Sequence, residues 1–154
     1  MKSPLLVLIF LLSNVNAARI PSAVEVIDAS SHDILMYAPV LRDMNQAEAI
    51  RKALLNGVKV TILSEPEAVF ESSSYIPALK LAGAAVFMAR IPNGQNGLLI
   101  GDARVALTGL GIGRKTLPYE PGLKLEQTQN IPALQRWFSN ALKTAKSYVV
   151  PIRR

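Results

Sequence analysis

Three apolar runs, Ile34–Ala38, Val58–Leu63 and Ala84–Met88, are each reached through a stretch with helical signals. This alternation constrains the fold more than any other feature of the chain. Strands separated by helices pair in parallel, because the chain must cross back over the sheet between them. The first strand lies within Asp33–Leu41. The second, Val58–Leu63, alternates and is rich in β-branched residues. Two more short strands, Leu98–Ile100 and Val105–Leu107, are joined at Gly101-Asp102. The expected architecture is α/β, a mixed, mostly parallel sheet flanked by helices on both faces.

The helices are bounded by local chemistry. Ser22–Ser31 is a short helix with Val24, Ile27 and Ala29 as apolar contacts. Asn45 and Glu48 have capping-box spacing ahead of a helix whose inner face is Ala47, Ile50, Ala53 and Leu54. Asn56-Gly57 stops it. Ser72–Ser74 before Pro77 start a third helix with Ile76, Leu79 and Ala82 on one face and Gly83 at its end. Pro92–Gly97 is turn-rich. Asn130 and Pro132 open a last helix with an apolar stripe of Leu134, Trp137, Phe138, Ala141 and Ala145. Lys143, Lys146, Arg153 and Arg154 form a basic tail, which a helix C-terminus favours through its dipole.

The amino terminus has the order of a secretory leader: Lys2, an apolar run from Pro4 to Leu12, a polar stretch, then Ala17-Ala18. Val15 and Ala17 suit cleavage after Ala17, and the apolar run is too short to span a bilayer. Residues 1–17 are therefore expected to be removed on export, to the periplasm or outside the cell, leaving 18–154 as a single domain. The whole chain carries a formal net charge of +6, and loss of Lys2 takes one positive charge away. A basic excess permits polyanion binding. Cysteine is absent, which excludes disulfides, thiolate metal sites and cysteine nucleophiles. His32 is the only histidine, so no site within one chain can use two imidazoles. No metal and no cofactor are expected.

Three segments carry a resemblance: Asn56–Leu63, Ser73–Ala84 and Gly101–Gly109. With them, the chain from about Ala23 to Tyr148 resembles one repeat of the phospholipase D superfamily, in the layout of its small exported bacterial phosphodiesterases and nucleases. That family's motif is H-x-K-x4-D, followed seven residues after the Asp by Gly-Ser and then an Asn. The resemblance implies a histidine that attacks phosphorus to form a phosphohistidine, with lysine and polar donors stabilising the non-bridging oxygens. With Asp102 as the motif acid, the histidine position is Gln95 and the lysine position Gly97. Gly109 fits, but the serine position is Leu110 and the asparagine position Ile112. Nucleophile, cation and both polar donors are missing together. Glutamine cannot serve as the phosphorus nucleophile, and glycine supplies no charge.

Arg114 and Lys115 follow the glycine-rich loop Leu107–Gly113 and are candidate anion-binding residues. The loop is a candidate phosphate cradle, although it lacks the G-x4-G-K-[ST] order of a nucleotide-binding loop. Tyr37 reads as core, and His32 as a surface or helix-end residue. Single-repeat members of the family build one site from two chains. The resemblance thus implies a homodimer, or a heterodimer with an intact paralogue. The expected function is that of a pseudoenzyme: an exported phospholipase D-like protein with a degenerate motif, binding phosphodiesters, nucleic acid, anionic lipid headgroups or a protein partner. The alternative is an active nuclease or phospholipase D-type phosphodiesterase, completed by a partner chain or a substitute nucleophile.

Overall fold

In a computed structural model, residues 19–92, 96–120 and 122–151 are described. The expected leader at 1–17 lies outside them, as do Gln95, Arg153 and Arg154. The elements follow in the order α1 (Ala23–Ala29), β1 (Asp33–Tyr37), α2 (Met44–Leu55), β2 (Lys59–Ser64), α3 (Pro66–Val69), α4 (Ile76–Leu81), β3 (Ala85–Met88), β4 (Gly97–Gly101), β5 (Val105–Gly109), β6 (Lys124–Leu125), α5 (Ile131–Thr144) and β7 (Lys146–Ser147). A 3-10 turn, Thr128–Asn130, leads into α5.

The strands form one seven-stranded sheet in the order β6-β5-β4-β1-β2-β3-β7. β1, β2 and β3 are parallel, as the helical crossovers between them require. The four outer pairings, β1 with β4, β4 with β5, β5 with β6 and β3 with β7, are antiparallel. The sheet is therefore mixed as expected, but its parallel part is confined to the centre. The link from β3 to β4 is too short for a crossover helix, so β4 and β5 pair as an antiparallel hairpin beside β1, and α5 later crosses the sheet from β6 at one edge to β7 at the other.

The pleat divides the core in two. Ile34 and Met36 on β1, Val60 and Ile62 on β2, and Leu99 and Leu107 on the hairpin face α1, α2, α3 and α4. Tyr37, Leu63, Leu98, Ile100 and Ala106 face the opposite way, against Ile131 and Phe138 of α5. Helices cover both faces, four on one side and one on the other. Because both faces are apolar, the central strands read as nearly continuous hydrophobic runs.

Several local expectations shift. Ser22 and Glu25 form the capping box of α1, each accepting from the other's backbone N–H. The box expected at Asn45 and Glu48 is not the start of α2. That helix begins two residues earlier, where the Asp43 carboxylate accepts from the Gln46 N–H at 3.0 Å. Glu48 instead pairs with Arg51. Ser74 accepts from the Ile76 N–H, but no side chain caps α4 at its N-cap Tyr75, and Ala82 is exposed beyond its end. α3, β6 and β7 were not expected; the two strands are two-residue edges and α3 a single turn.

The β4–β5 hairpin turns through Asp102 and Ala103, both in the left-handed region with φ of 49° and 55°. Aspartate tolerates that region because its short polar side chain bonds locally. Here the carboxylate reaches further. Oδ2 accepts from the Ser31 N–H at 2.9 Å, and Oδ1 from the His32 N–H at 2.8 Å and the Asp33 N–H at 3.0 Å. In return the Asp102 N–H donates to the Asp33 carbonyl. One side chain thus fastens the hairpin to the turn that feeds β1. The three backbone donors, that of Ser31 foremost, hold the Asp102 carboxyl down to about 2.

Asp102 is thereby more readily ionised in the folded chain than unfolded, where carboxylates titrate near 3.8. Its contribution is full above that value and is lost as pH falls through about 2. Asp102→Asn keeps the backbone geometry and removes the charge, and is expected to lower stability at neutral pH by about 2 kcal/mol. In denaturant titrations the gap between wild type and variant should narrow from about pH 4 down to about pH 2. A gap independent of pH across that window would refute the latch.

Candidate functional site

The strand directions gather one set of residues and separate another. β1 and β2 point their carboxyl ends to the same edge of the sheet. β4 is antiparallel to β1 and brings its first residue, Gly97, to that edge; β5 returns to it with its last, Gly109. Gly97 and Gly109 are direct register partners. A cleft of about 320 Å³ opens there, lined by Tyr37, Pro39, Val40, Glu65, Asn96, Gly97, Gly109, Leu110, Ile112 and Arg114. Ligands in open α/β sheets bind outside the carboxyl ends of strands, where neighbouring connections diverge, and this cleft occupies such a place.

Of the residues singled out from the sequence, Gly97, Gly109, Leu110, Ile112 and Arg114 meet at this cleft. Asp102 does not. It lies at the other end of β4, with His32 beside it, the imidazole Nδ1 3.9 Å from its Oδ1. His32 precedes β1 and Tyr37 ends it, so the length of β1, roughly 15 Å, separates the histidine from the cleft. The His32 side chain is 82% exposed. Lys115 lines a separate groove of about 630 Å³ beside the start of α1, together with Arg19, Glu25 and Asp43. Arg114 reaches both cavities, and its Nη2 lies 3.6 Å from a carboxylate oxygen of Glu120.

The interior of the cleft is set by a close approach. A Cβ placed on Gly97 would lie 2.4 Å from the Cβ of Ile112 and 3.0 Å from its Cγ2. Any side chain on Gly97 must displace the buried Ile112. The two residues are matched: the isoleucine occupies the space that a side chain on the strand would need.

The glycine-rich loop does not present a phosphate cradle. A cradle needs free, convergent N–H groups. Here the Gly111 N–H donates to the Gly122 carbonyl at 2.7 Å, and the Gly113 N–H to Gln46 Oε1 at 2.8 Å. The Gln46 amide donates in turn to the Gly111 carbonyl at 2.7 Å. The Gly113 carbonyl accepts from the N–H groups of Arg42 and Asp43. Buried Gln46 thus clamps the loop from α2, and the clamp is tight. Gly113 has φ of 84°, and a Cβ there would meet the Val40 carbonyl at 2.1 Å. The backbone groups of Gly111 and Gly113 are thus taken up within the fold.

Sequence reading missed Glu65. Its Oε1 accepts from the Tyr37 hydroxyl at 3.2 Å and from the Ile91 N–H at 3.0 Å. Burial, with the Glu65 carboxylate beside it, pushes the Tyr37 phenol well above its ordinary range. The ring packs at a tilt of 59° against Trp137 of α5, the ring centroids 5.5 Å apart. Tyr37 is therefore core, as read, and also part of the cleft wall. The overlooked signal was position: Glu65-Pro66 directly follows a buried strand, where proline at N1 starts a helix and the preceding side chain faces the strand ends. Among the described residues no group of histidine, aspartate and glutamate is placed to hold a metal ion.

No protein-family model matches the sequence, and no curated protein matches it. Solved structures do. Nuc from Salmonella typhimurium, a phospholipase D family member, is similar with a TM-score of 0.68 at 16% identity, over 82% of this chain and 88% of that one. NucT from Helicobacter pylori is similar with a TM-score of 0.70 at 17% identity, over 88% and 91%. TrmBL2, an archaeal chromatin protein with a novel mode of DNA binding, is similar with a TM-score of 0.62 at 16% identity, over 92% of this chain and 59% of that one. At these identities the likeness concerns the fold. The chain has the phospholipase D fold.

The Gly97–Ile112 match yields a test. Gly97→Ala should destabilise by about 1–3 kcal/mol through overpacking. Ile112→Gly should be strongly destabilising by itself, because it empties a buried site. In the double variant the clash is absent, so the two effects should sum to clearly more than the measured loss. Additive losses in urea unfolding would mean that the two residues do not compete for one space.

Proposed function

We propose that this is an exported protein that uses a phospholipase D scaffold for binding, without that family's phosphohistidine chemistry, and that its ligands are phosphodiester-bearing polyanions. The observation that carries the proposal is the close packing of Gly97 against Ile112. On the motif alignment, Gly97 stands where the lysine would project into the cleft and Ile112 where a polar donor would stand. The space is filled by hydrocarbon, with Leu110, Val40 and Pro39 around it. Transferring a phosphoryl group needs donors aimed at the non-bridging oxygens. The described cleft offers one guanidinium, with Glu120 near it, and one carboxylate, Glu65.

His32 does not remedy this, since it stands at the opposite end of β1 from the cleft. The net charge, +6 for the whole chain and one less once Lys2 is removed, supports an anionic ligand. The family's habit of pairing two chains extends to this reading. A homodimer would then hold two clefts without the motif histidine, and a heterodimer with an intact paralogue one.

The test is direct. The purified, folded protein should not cleave a bis-aryl phosphodiester, plasmid DNA or phosphatidylcholine. In filter binding it should retain a polyanion with an affinity that falls steeply with salt. Turnover that survives purification would overturn the reading, and so would the absence of any salt-sensitive binding.

A further inference from the structure

The positive charge of this chain is segregated. Between Arg19 and Glu126, eleven lysines and arginines balance all 11 carboxylates of the protein. From Gln127 onward there is no acidic side chain, only Arg136, Lys143, Lys146, Arg153 and Arg154. Within the balanced part, six cations are held in ion pairs, those of Arg42, Arg51, Arg90 and Arg114 among them. No ion pair among the described residues involves Arg136, Lys143 or Lys146, and all three are exposed.

α5 arranges these charges. Its apolar stripe packs under the sheet, with Phe138 buried and Leu134, Trp137 and Leu142 against the same cluster. The outward side presents Ala133, Arg136, Ser139, Asn140 and Lys143. Positions 136, 139, 140 and 143 are spaced i, i+3, i+4 and i+7, so they lie in one stripe. Arg136 and Lys143 are about 10 Å apart along the axis, which is about three steps of a nucleic-acid strand at 3.4 Å each. Exposed Lys146 follows on the edge strand β7. The nearest carboxylate in sequence, Glu126, belongs to the opposite end of the helix. It accepts from Thr108 Oγ1 at 2.7 Å and pairs with Lys124 at 3.2 Å.

We propose that the outer face of α5, continued by Lys146, is the surface on which this protein docks the phosphodiester backbone of a nucleic acid. The proposal rests on the polyanion reading above and places the contact away from the cleft. Two features select nucleic acid over a lipid surface. A helix that lies in a bilayer inserts an apolar face, whereas the apolar face of α5 is buried under its own sheet. The cations are interleaved with a hydroxyl and an amide, Ser139 and Asn140, side chains that bond phosphate oxygens. Such contacts position the protein on a backbone and carry no base sequence, so binding should be indifferent to sequence.

The experiment is fluorescence anisotropy with a short fluorescein-labelled DNA duplex across a salt series. It compares the wild type with two triple variants of equal net charge. Arg136→Ala/Lys143→Ala/Lys146→Ala strips the α5 surface. Lys52→Ala/Lys59→Ala/Lys80→Ala removes three cations from α2, the start of β2 and α4. The first should lose at least about tenfold in affinity, and its slope of log K against log salt should fall by about 0.9 per cation removed. The second should stay within about twofold. Arg136→Lys/Lys143→Arg/Lys146→Arg should bind like wild type, and thermal unfolding should show all variants folded.

Equal losses in both alanine triples would overturn the proposal in favour of net charge alone. So would an α5 triple that binds as wild type does, while leaving the polyanion reading in place. An α5 triple that keeps the duplex but releases phosphatidylglycerol vesicles would transfer the surface to lipid. A wild type that binds neither probe would remove the underlying reading as well.

Discussion

The central strand β1 is buried on both faces, and the rest of the molecule is arranged around it. Ile34 and Met36 point to the four-helix side, Leu35 and Tyr37 to α5. A slip of one residue against either neighbour would exchange those sets. β1 is also where the sheet changes sense, parallel to β2 on one side and antiparallel to β4 on the other. That change brings the end of β1, the start of β4 and the end of β5 to one edge, and leaves the connections around them free to diverge into a cleft. At the opposite edge Asp102 ties the hairpin to the entry of β1.

The cleft is shaped by backbone more than by side-chain chemistry. Gly97 and Gly109 face each other across the hairpin, and the loop that follows folds back so closely that Ile112 fills the room above Gly97. Gln46 then holds the loop through Gly111 and Gly113. A glycine-rich, basic-ended segment suggests an anion site when read as a string. In the fold the N–H groups of Gly111, Ile112 and Gly113 already have partners, and the two basic residues that follow line different places, Arg114 between two cavities and Lys115 in the larger groove alone. An anion attracted to this edge would meet Glu65 and Glu120 as well as Arg114.

What the sequence disclosed follows from the range of the forces involved. The central strands were legible because burial on both faces leaves nearly unbroken apolar runs, as at Val60–Leu63. α5 was legible because its stripe repeats over four turns. Short elements were not. α3 is one turn set by Pro66, and β6 and β7 are strands only because β5 and β3 offer edges to them. The start of α2 was misplaced by two residues because Asp43 and Asn45 are both good caps, and the approach of the preceding loop decides between them. The candidate site divides in the same way. Positions could be assigned along a motif, yet that motif's ends lie at opposite edges of the sheet, so Asp102 and Gly97 cannot act together. Glu65 was invisible because only the topology brings it to Tyr37 and Ile91.

A fold fixes where a cleft can form but not what is done in it. In this chain an opening lies at the carboxyl ends of β1 and β2. Here Pro39, Val40, Leu110 and Ile112 line that opening beside Glu65 and Arg114. Two of the unbalanced cations, Arg136 and Lys143, stand on α5, whose other face packs against the sheet. Those two roles are compatible because a helix has two sides. The Trp137 and Phe138 side of α5 contributes stability through burial, and the Arg136 and Lys143 side costs little to leave in water. A surface built this way can exchange its charges without disturbing the core. The cleft has no such freedom, because a side chain added to Gly97 must displace Ile112 and with it part of the core.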